Sequence, residues 1–228
     1  MAISIIMPAF DASEFIGDCI DSMKEQSYTN FDVHIGIDNC DKTLRTLKKM
    51  DLDSRFKLYQ AVENVGPYVI ANTLLEKCRC PKHIKFDADD VMRPNMVNRM
   101  MKILAGHSEL VYCRYENFGL KEPNKNVEAY AEGVYAAENS VMDSLGGFRA
   151  WRCAADTDFR ARATNAGVRI TRIPEVLFDR RVHTKNLTRA AETALGSPLR
   201  QTYKAKIATA IAKGHTKVGI KKVDMVLV

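Results

Sequence analysis

Three aspartates stand within four positions of one another in the segment IKFDADDVMRP, residues 84–94. Like charges this close repel one another, so Asp87, Asp89 and Asp90 destabilise the fold unless positive groups lie among them. Carboxylates at positions i and i+2 of a turn suit a hard divalent cation such as Mg²⁺ or Mn²⁺, which prefers oxygen ligands and often bridges to phosphates. The same pattern is typical of a helix N-terminus, with Asp90 to Pro94 forming a capped start. The segment alone leaves metal binding and helix capping open.

Several other metal and nucleotide sites are disfavoured by their motifs. An EF-hand loop beginning at Asp87 would need glycine at its sixth position and glutamate at its twelfth, where the chain has Met92 and Asn98. Neither G-x-G-x-x-G nor G-x-x-x-x-G-K-[ST] occurs, which disfavours dinucleotide dehydrogenases and P-loop nucleotide hydrolases. Cys78 and Cys80 form one C-x-C pair, without a second pair to complete a zinc site. If a nucleotide binds, a metal ion must hold its phosphates.

The elements that must position these aspartates alternate between strand and helix. Apolar runs typical of strands end at Pro8, at Asp38, before Asn64 and at the acidic cluster. Helical patterns follow them, with Ser13 as the expected N-cap of the first helix and Pro67 at the start of another. This alternation predicts an α/β fold, a mostly parallel mixed sheet flanked by helices. Because ligands bind beyond the carboxyl ends of such strands, we expect these polar groups to meet at one rim of the sheet.

The composition places the chain among globular proteins. Of its 228 residues, 46% are hydrophobic and 27% are charged. The apolar run at the N-terminus is too short for a signal peptide, and no apolar stretch approaches the roughly 20 residues that a bilayer crossing needs. We therefore expect a cytoplasmic protein without a transmembrane segment, whose six cysteines are reduced.

Basic charge is concentrated in the last part of the chain. Residues 180–228 hold eleven lysines or arginines and two acidic residues. Apolar residues recur there every four positions between lysines, which predicts a helix with one packed and one basic face; they are Leu199, Tyr203, Ile207 and Ile211. A basic face suits DNA, RNA, an anionic membrane surface or an acidic glycan, or is simply a solvated surface. We divide the chain into a domain of residues 1–190 and a basic C-terminal extension of helix and strand, residues 191–228.

Six segments occur in an order found in a known family. They are SIIMPAFDASEFIGDCIDSMKEQSYTNFDVHIGID, ENVGPYVIANTLLEKC, HIKFDADDVMRP, LGGFR, DTDFRARATNAG and RRVHTKNLTR, and they span residues 3–189. Each string is weak by itself, but six in the right order, on the predicted strands and loops, form a specific pattern. In these segments the chain resembles the family 2 glycosyltransferases, which have the GT-A fold and contain a D-x-D motif.

The resemblance implies a metal-dependent, inverting enzyme. Such an enzyme moves a sugar from a nucleotide-diphosphate sugar, here expected to be a UDP-sugar, to an acceptor hydroxyl, with Mn²⁺ or Mg²⁺ as cofactor. By the family's pattern, Asp89 binds the metal ion on the diphosphate and His183 completes the metal site; the other interpretation of His183 is a surface histidine beside arginines. The positions that match the family's donor-binding residues are Pro8, Ala9, Asp11, Asp38, Asn64, Gly66 and Asp87.

The resemblance also implies which residues act on the acceptor. Asp156 matches the general base that deprotonates the acceptor hydroxyl, although the family's usual Glu-Asp reads Ala155-Asp156 here, which leaves Asp158 as an alternative base. Ala71 stands where the family usually has an arginine near the donor. Arg162 matches the family's recurrent basic position on the helix after the base, and its other interpretation is a solvated helical arginine. The positions that match the family's acceptor side are Gly146, Gly147 and Phe148. Nearby Trp151 is either a candidate stacking face for an acceptor ring or a core residue, and the core interpretation is the more common one.

The sequence does not name the acceptor. A glycan hydroxyl is one class, and the basic extension makes nucleic acid another, for example a hydroxymethylated pyrimidine in the DNA of a virus. Two functions outside glycosyl transfer are also considered: a nucleotidyltransferase of related α/β architecture, and a noncatalytic module that binds glycan or nucleic acid. The first is expected to carry a glycine-rich basic loop where this chain reads PAFDASE, and the second would tolerate Asp156→Asn without loss of function.

Overall fold

Strands and helices alternate through the first half of the chain in the computed structural model, which describes residues 2–78, 80–120 and 130–228. The strands are β1 (Ile3–Ala9), β2 (Phe31–Ile37), β3 (Phe56–Ala61), β4 (Lys82–Lys85), β5 (Val91–Met92), β6 (Leu110–Gly119), β7 (Tyr130–Glu138), β8 (Ile170–Val182) and β9 (Met225–Leu227). The helices are α1 (Ile16–Lys24), α2 (Asp41–Leu47), α3 (Pro67–Leu75), α4 (Met96–Leu104), α5 (Asn139–Leu145), α6 (Ala155–Asn165) and α7 (Pro198–Ala212).

The nine strands of the described residues form one sheet, in the order β5-β8-β6-β7-β4-β1-β2-β3-β9. The strands β4, β1, β2 and β3 run parallel, with Ile5 opposite both Val33 and Ile84. Beyond them β7 is antiparallel to β4 and β6 to β7, whereas β8 is parallel to β6. The short strands β5 and β9 are antiparallel to their neighbours. The sheet is therefore mixed. The expected parallel pairing joins β4, β1, β2 and β3, and it also joins β6 to β8.

Apolar side chains cover both faces of the sheet. In β1, where every residue is buried, Ile3, Ile5 and Met7 pack on one face with α1, α2 and α4, and Ile6 packs on the other face with α3, α5 and α6. Helices on both faces leave the ends of the parallel strands as the place where polar groups can reach solvent. The packing thus directs the segments that follow β1 to β4 to one rim.

The starts of the helices test the capping predictions. Pro67 begins α3, as predicted. In contrast, α1 begins at Ile16 after Phe15, so Ser13 is not its N-cap. The helix α4 follows Asn95, so the acidic cluster does not cap it. With the capping interpretation excluded for α4, the three aspartates need another explanation.

The basic extension contributes a helix and a strand, as its pattern predicted. Tyr203 and Ile207 of α7 face the rest of the chain, with the ring of Tyr203 stacked on Trp151 at a centroid distance of 4.3 Å. The lysines of α7 and its C-terminal end point outward: Lys204, Lys206 and Lys213 are exposed. The strand β9 extends the sheet beside β3, with Val226 opposite Gln60. Across the described residues, the structure contains no helix whose length and apolar character would let it span a bilayer.

Candidate active site

A cavity of about 750 Å³ opens where β1, β2, β3 and β4 end, a volume in the usual range for ligand pockets. Residues of β7, of the first turn of α6 and of the segment after β8 complete its walls. The predicted donor, metal and base residues all line this cavity: Pro8, Ala9, Asp11, Asp38, Asn64, Gly66, Asp87, Asp89, Asp156 and His183. The fold therefore brings into one space groups that the sequence places on separate elements.

Asp38 fixes the loop that follows β3. Its buried carboxylate accepts hydrogen bonds from the backbone N–H groups of Val65 (2.7 Å) and Gly66 (2.8 Å), and from the side-chain amide of Asn64 (3.1 Å). Burial raises the pKa of Asp38, and the N–H donors oppose this effect. Gly66 has φ +90°, a conformation that favours glycine. Asp38 therefore shapes this wall of the cavity by holding the loop in place.

A cation lies on the same wall. Arg152 donates from Nη1 to Oδ1 of Asn64 at 2.8 Å, and this nitrogen lies 3.7 Å from the position that a Cβ on Gly66 would take. Arg152 is exposed and lines the cavity. It supplies a positive charge beside the loop after β3, although Ala71 stands at the position where the resemblance implies an arginine.

Positive groups lie among the three aspartates, as their mutual repulsion requires. Lys85 Nζ is 2.6 Å from Oδ1 of Asp87. Arg181 donates its backbone N–H to Oδ1 of Asp90 (2.9 Å) and its Nε–H to the backbone oxygen of Asp89 (3.0 Å). Asp90 is buried, and this burial, together with the charges of its two acidic neighbours, raises its pKa. Asp90 thus anchors the turn, while Asp87 and Asp89 are partly exposed to the cavity.

Asp89 and His183 meet at the cavity wall, with Oδ2 of Asp89 2.8 Å from Nε2 of His183. The side-chain amide of Asn186 donates to the same oxygen at 3.0 Å. Neighbouring ligands of an octahedral Mg²⁺ ion, each about 2.1 Å from the metal, lie about 3 Å apart. The spacing of this oxygen and this nitrogen therefore fits joint coordination of a divalent cation.

Cation binding at His183 depends on which ring nitrogen carries the proton. The backbone N–H of Lys185 donates to Nδ1 of His183 at 3.2 Å, which places the proton of the neutral ring on Nε2, toward Asp89. A cation at Nε2 must displace this proton. Among the residues that the structure describes, no three or more His, Cys, Asp or Glu side chains form a group that could hold a metal ion. Two candidate ligands, Asp89 and His183, would suit an ion that keeps several waters and also binds phosphates.

Asp156 reaches the cavity from the first turn of α6. Ala154, just before this helix, has φ +62°, an uncommon conformation for a residue with a side chain. Oδ1 of Asp156 accepts the N–H of Thr157 at 2.9 Å, and the carboxylate is hydrogen-bonded to Tyr68. Burial raises the pKa of Asp156, and the charge of Glu132 acts in the same direction. A carboxyl group with a raised pKa in a cavity is suited to accept a proton from a substrate.

Asp158, the alternative base, is engaged elsewhere. It is fully buried, does not line the cavity, and accepts hydrogen bonds from Nε of Arg162 (2.7 Å) and Nε of Arg149 (2.9 Å). Arg162 is itself fully buried and donates to the backbone oxygens of Leu145 and Gly147, at 2.7 Å each. The interpretation of Arg162 as a solvated helical arginine is therefore wrong, because its buried guanidinium joins α6 to the end of α5 and the turn that follows. The geometry does not favour Asp158 as the base.

We expect Arg162→Met to lower the free energy of unfolding by about 3–5 kcal/mol, because it removes a buried ion-pair partner of Asp158. Urea unfolding followed by circular dichroism measures this loss. In the control Arg99→Met, the lost guanidinium pairs with Glu175 on the surface, and we expect a midpoint close to that of the wild type. Equal midpoints for the two variants would contradict the structural role of Arg162.

The residues predicted for the acceptor side do not line the cavity. Gly146 and Gly147 have φ +75° and +66°, and a Cβ on Gly147 would lie 2.6 Å from Oδ1 of Asn72. The same oxygen accepts the backbone N–H of Phe148, whose ring is fully buried in the core. Trp151 stacks on α7. We correct the prediction of direct acceptor contact for these residues, because packing occupies their side chains and close neighbours fill the space around both glycines.

Among the cavity residues that were not predicted from the sequence are Tyr68, Lys85 and Gly133. Lys85 carried a signal, since a lysine within the apolar strand HIKF, two positions before Asp87, indicates a buried cation with an acidic partner. Gly133 and Tyr68 carried none, because only the pairing of β7 with β4 and the packing of α3 bring them to the site.

Known proteins share this arrangement of elements. The family described as glycosyl transferase family 2 matches residues 4–174. The O-antigen biosynthesis glycosyltransferase WbnJ of Escherichia coli is 25% identical over 221 residues, covering 83% of this chain and 83% of WbnJ. Three other curated relatives are longer than the matched part, and the chain spans from 33% to 55% of their length.

Solved structures share the fold. TarS from S. aureus, solved in complex with UDP-GlcNAc, has a TM-score of 0.71 at 16% identity, covering 94% of this chain and 72% of that of TarS. The mannosyltransferase PcManGT from Pyrobaculum calidifontis, solved in complex with GDP-Man and Mn²⁺, has a TM-score of 0.69 at 18% identity, covering 92% of this chain and 69% of its own. At these identities the likeness shows the fold alone. Since the family match extends over most of the described sheet, the chain belongs to glycosyl transferase family 2 and has the GT-A type fold.

Proposed function

We propose that the chain is a metal-dependent, inverting glycosyltransferase that moves a sugar from a nucleotide-diphosphate sugar to an acceptor hydroxyl. One observation carries the proposal: a single cavity is lined by Asp89 and His183, whose facing oxygen and nitrogen have a spacing that would suit a divalent cation, and by Asp156, a carboxyl group with a raised pKa. The reaction needs a cation to stabilise the leaving diphosphate and a base to deprotonate the acceptor. Membership of the family supports the same reaction class.

The donor would occupy the rim where the parallel strands end. Ala9 and Asp38 are tied together there by a hydrogen bond of 3.0 Å from the backbone N–H of Asp38, so the loops after β1 and β2 form one surface with the loop after β3. TarS and PcManGT, which share the fold, were solved with UDP-GlcNAc and with GDP-Man. We propose a nucleotide-diphosphate sugar as the donor, with UDP-sugars first in the order of testing.

Asp89 and His183 would hold a Mn²⁺ or Mg²⁺ ion against the diphosphate, and Asn186 keeps the Asp89 carboxylate in place through its hydrogen bond of 3.0 Å. Such an ion would neutralise the negative charge that develops on the leaving diphosphate. The Mn²⁺ in the complex of PcManGT supports a divalent cation in this fold.

Asp156 would accept the proton of the acceptor hydroxyl, which must come within about 3 Å of the carboxylate. The hydroxyl oxygen then attacks the anomeric carbon from the face opposite the diphosphate, so the configuration at that carbon inverts. Asp156 lies close to the D-x-D turn. The position that a Cβ on Gly133 would take is 3.6 Å from Oδ2 of Asp156 and 3.3 Å from Oδ2 of Asp87, so both carboxylates approach the same point. Tyr68 holds the base through a hydrogen bond.

We propose a glycan hydroxyl as the acceptor. Nucleic acid is the second candidate, and the observation that favours it is the row of exposed lysines on and after α7. If the lysines of this extension can be removed without loss of DNA affinity, that candidate fails. The match to a glycosyltransferase family disfavours the two functions outside glycosyl transfer, the nucleotidyltransferase and the noncatalytic binding module.

A donor panel tests the proposed function. The protein is incubated with Mn²⁺ and with UDP-, GDP- and TDP-sugars, and release of the nucleotide diphosphate is followed, with and without a chelator. We expect release of the nucleotide diphosphate from one donor class, and we expect this release to stop when the cation is removed. The reason is that Asp89 and His183 would contact the diphosphate only through a bound cation. No binding of any donor and no release from any of them would contradict the proposal.

A further inference from the structure

Lys85 places an ammonium group inside the cavity wall. Its side chain, at the end of β4, is only 3% exposed. A buried ammonium group destabilises the fold unless partners compensate for the water it has lost. Lys85 Nζ has two such partners: Oδ1 of Asp87 at 2.6 Å, and the backbone oxygen of Gly133, to which it donates at 2.7 Å. The cation is thus bound to the D-x-D turn on one side and to β7 on the other.

The glycine on β7 allows two carboxylates to approach this cation closely. A Cβ on Gly133 would lie 3.3 Å from Oδ2 of Asp87, 3.6 Å from Oδ2 of Asp156 and 3.9 Å from Nζ of Lys85. Two carboxylates from different elements and one ammonium group therefore converge around a position without a side chain. Carboxylates this close repel one another unless a positive charge lies near both.

We propose that Lys85 is a positioning residue: its ammonium group fixes the side chain of Asp87 at the donor end of the cavity and supplies the buried positive charge that faces Asp156. This inference rests on the proposed function, in which Asp156 acts as an anion. Without the charge of Lys85, Asp156 would keep its proton at pH values where the wild type has already lost it.

Other groups besides Lys85 also change the pKa of Asp156. Burial raises the pKa of Asp156 most, Glu132 raises it further, and Lys85 opposes both. The titratable groups that face Asp156 from other elements or interact with it are Tyr68, Asp87, Tyr112, Glu132 and Cys153. Tyr68 lowers the pKa of Asp156 through a hydrogen bond, whereas Lys85 does so through its charge. Removal of the Lys85 charge should therefore raise the pKa of Asp156. Lost packing alone does not produce this rise.

The same strand provides a matched control. Lys82 is also buried in β4, donates from Nζ to the backbone oxygen of Leu104 at 3.0 Å and lies 3.5 Å from the carboxylate of Glu138. It does not line the cavity. Replacement of Lys82 removes a buried ammonium group from β4 and leaves the surroundings of Asp156 unchanged.

The test compares Lys85→Met with Lys82→Met in the full chain, with the donor that the wild type cleaves. The kcat/KM for nucleotide diphosphate release is measured across the acid and neutral range. In Lys85→Met we expect the acid limb to move to higher pH, so that its deficit relative to the wild type is about tenfold or more at the acidic end and shrinks as the pH rises. In Lys82→Met we expect the acid limb of the wild type.

An acid limb at the wild-type pH in folded Lys85→Met overturns the inference. If Lys85→Met does not fold, Lys85→Gln, which keeps an N–H donor and removes the charge, is measured with the same two outcomes. A wild-type chain that cleaves no donor would contradict the proposed function, and the inference would fall with it. An active wild type with an unmoved limb in the variant contradicts the role of Lys85 alone.

Discussion

Asp156→Asn is expected to lower kcat for nucleotide diphosphate release by about 10²- to 10⁴-fold, the range that a general base contributes, with little change in donor KM. Asparagine keeps the shape of the side chain and an oxygen that can accept the N–H of Thr157, so the first turn of α6 should stay in place. It removes the basic oxygen that takes the proton. Steady-state kinetics with varied donor separates the two parameters.

The pH profile provides a second check on the same residue. Asp156 must be deprotonated to act as a base, so kcat/KM should fall as the pH drops through its pKa. Burial raises this pKa, so the acid limb should lie at higher pH than the titration of an exposed aspartate. The limb should be absent in Asp156→Asn.

A matched control is Asp143→Asn. Asp143 is exposed on α5 and does not line the cavity, so this variant should keep the kcat and the pH profile of the wild type. Full activity in Asp156→Asn would contradict the assignment of the base. A rise in donor KM with unchanged kcat would mean that Asp156 binds the donor and takes no part in proton transfer.

Asp89→Ala should lower the cation-dependent release of nucleotide diphosphate by about 10²- to 10³-fold, since a bound cation contributes several kcal/mol to charge stabilisation. The alanine removes the oxygen that lies 2.8 Å from Nε2 of His183, and one candidate nitrogen ligand is left. The release rate should also need a higher Mn²⁺ concentration for half its maximum. A titration of Mn²⁺ at a fixed donor concentration measures both effects.

The control for this variant is Asp51→Ala, in which an exposed aspartate outside the cavity is lost. It should show the Mn²⁺ dependence of the wild type. Wild-type release by Asp89→Ala at every Mn²⁺ concentration would remove the carboxylate from the metal site. The acidic turn would then need a role other than cation binding and helix capping, since α4 begins after Asn95 and not after Asp90.

The donor rim is the part of the site that the sequence predicts best. Strands ending at Pro8, Asp38 and Asp87 follow from apolar runs closed by proline or by polar residues, and parallel strands bring their carboxyl ends to one side. The cavity contains the turns after these strands, as expected. The family pattern added Asp156 and His183, which lie too far along the chain for local periodicity to connect them to the rim.

The wrong or missing predictions concern residues whose environment depends on partners that are distant in sequence. Phe148 matched the family's acceptor-side turn and Trp151 was a candidate stacking face, yet the ring of Phe148 is buried in the core and the ring of Trp151 stacks on Tyr203 of α7. Arg162 stands four residues after Asp158, a spacing that predicts an ion pair, but nothing local shows that both are fully buried. Gly133 has no side chain to give a signal, and its place beside Asp87 depends on the pairing of β7 with β4.

The central claim is that a cation held by Asp89 and His183 joins the nucleotide diphosphate to the protein. The most direct test measures the Tm of the wild-type chain with Mn²⁺ alone, with UDP alone and with both, because a ligand that binds the native state raises its stability. We predict that UDP raises the Tm strongly only when Mn²⁺ is present, and that Asp89→Ala loses this joint effect. An equal rise with UDP in the absence of any divalent cation, or no rise with the two together, would contradict the claim.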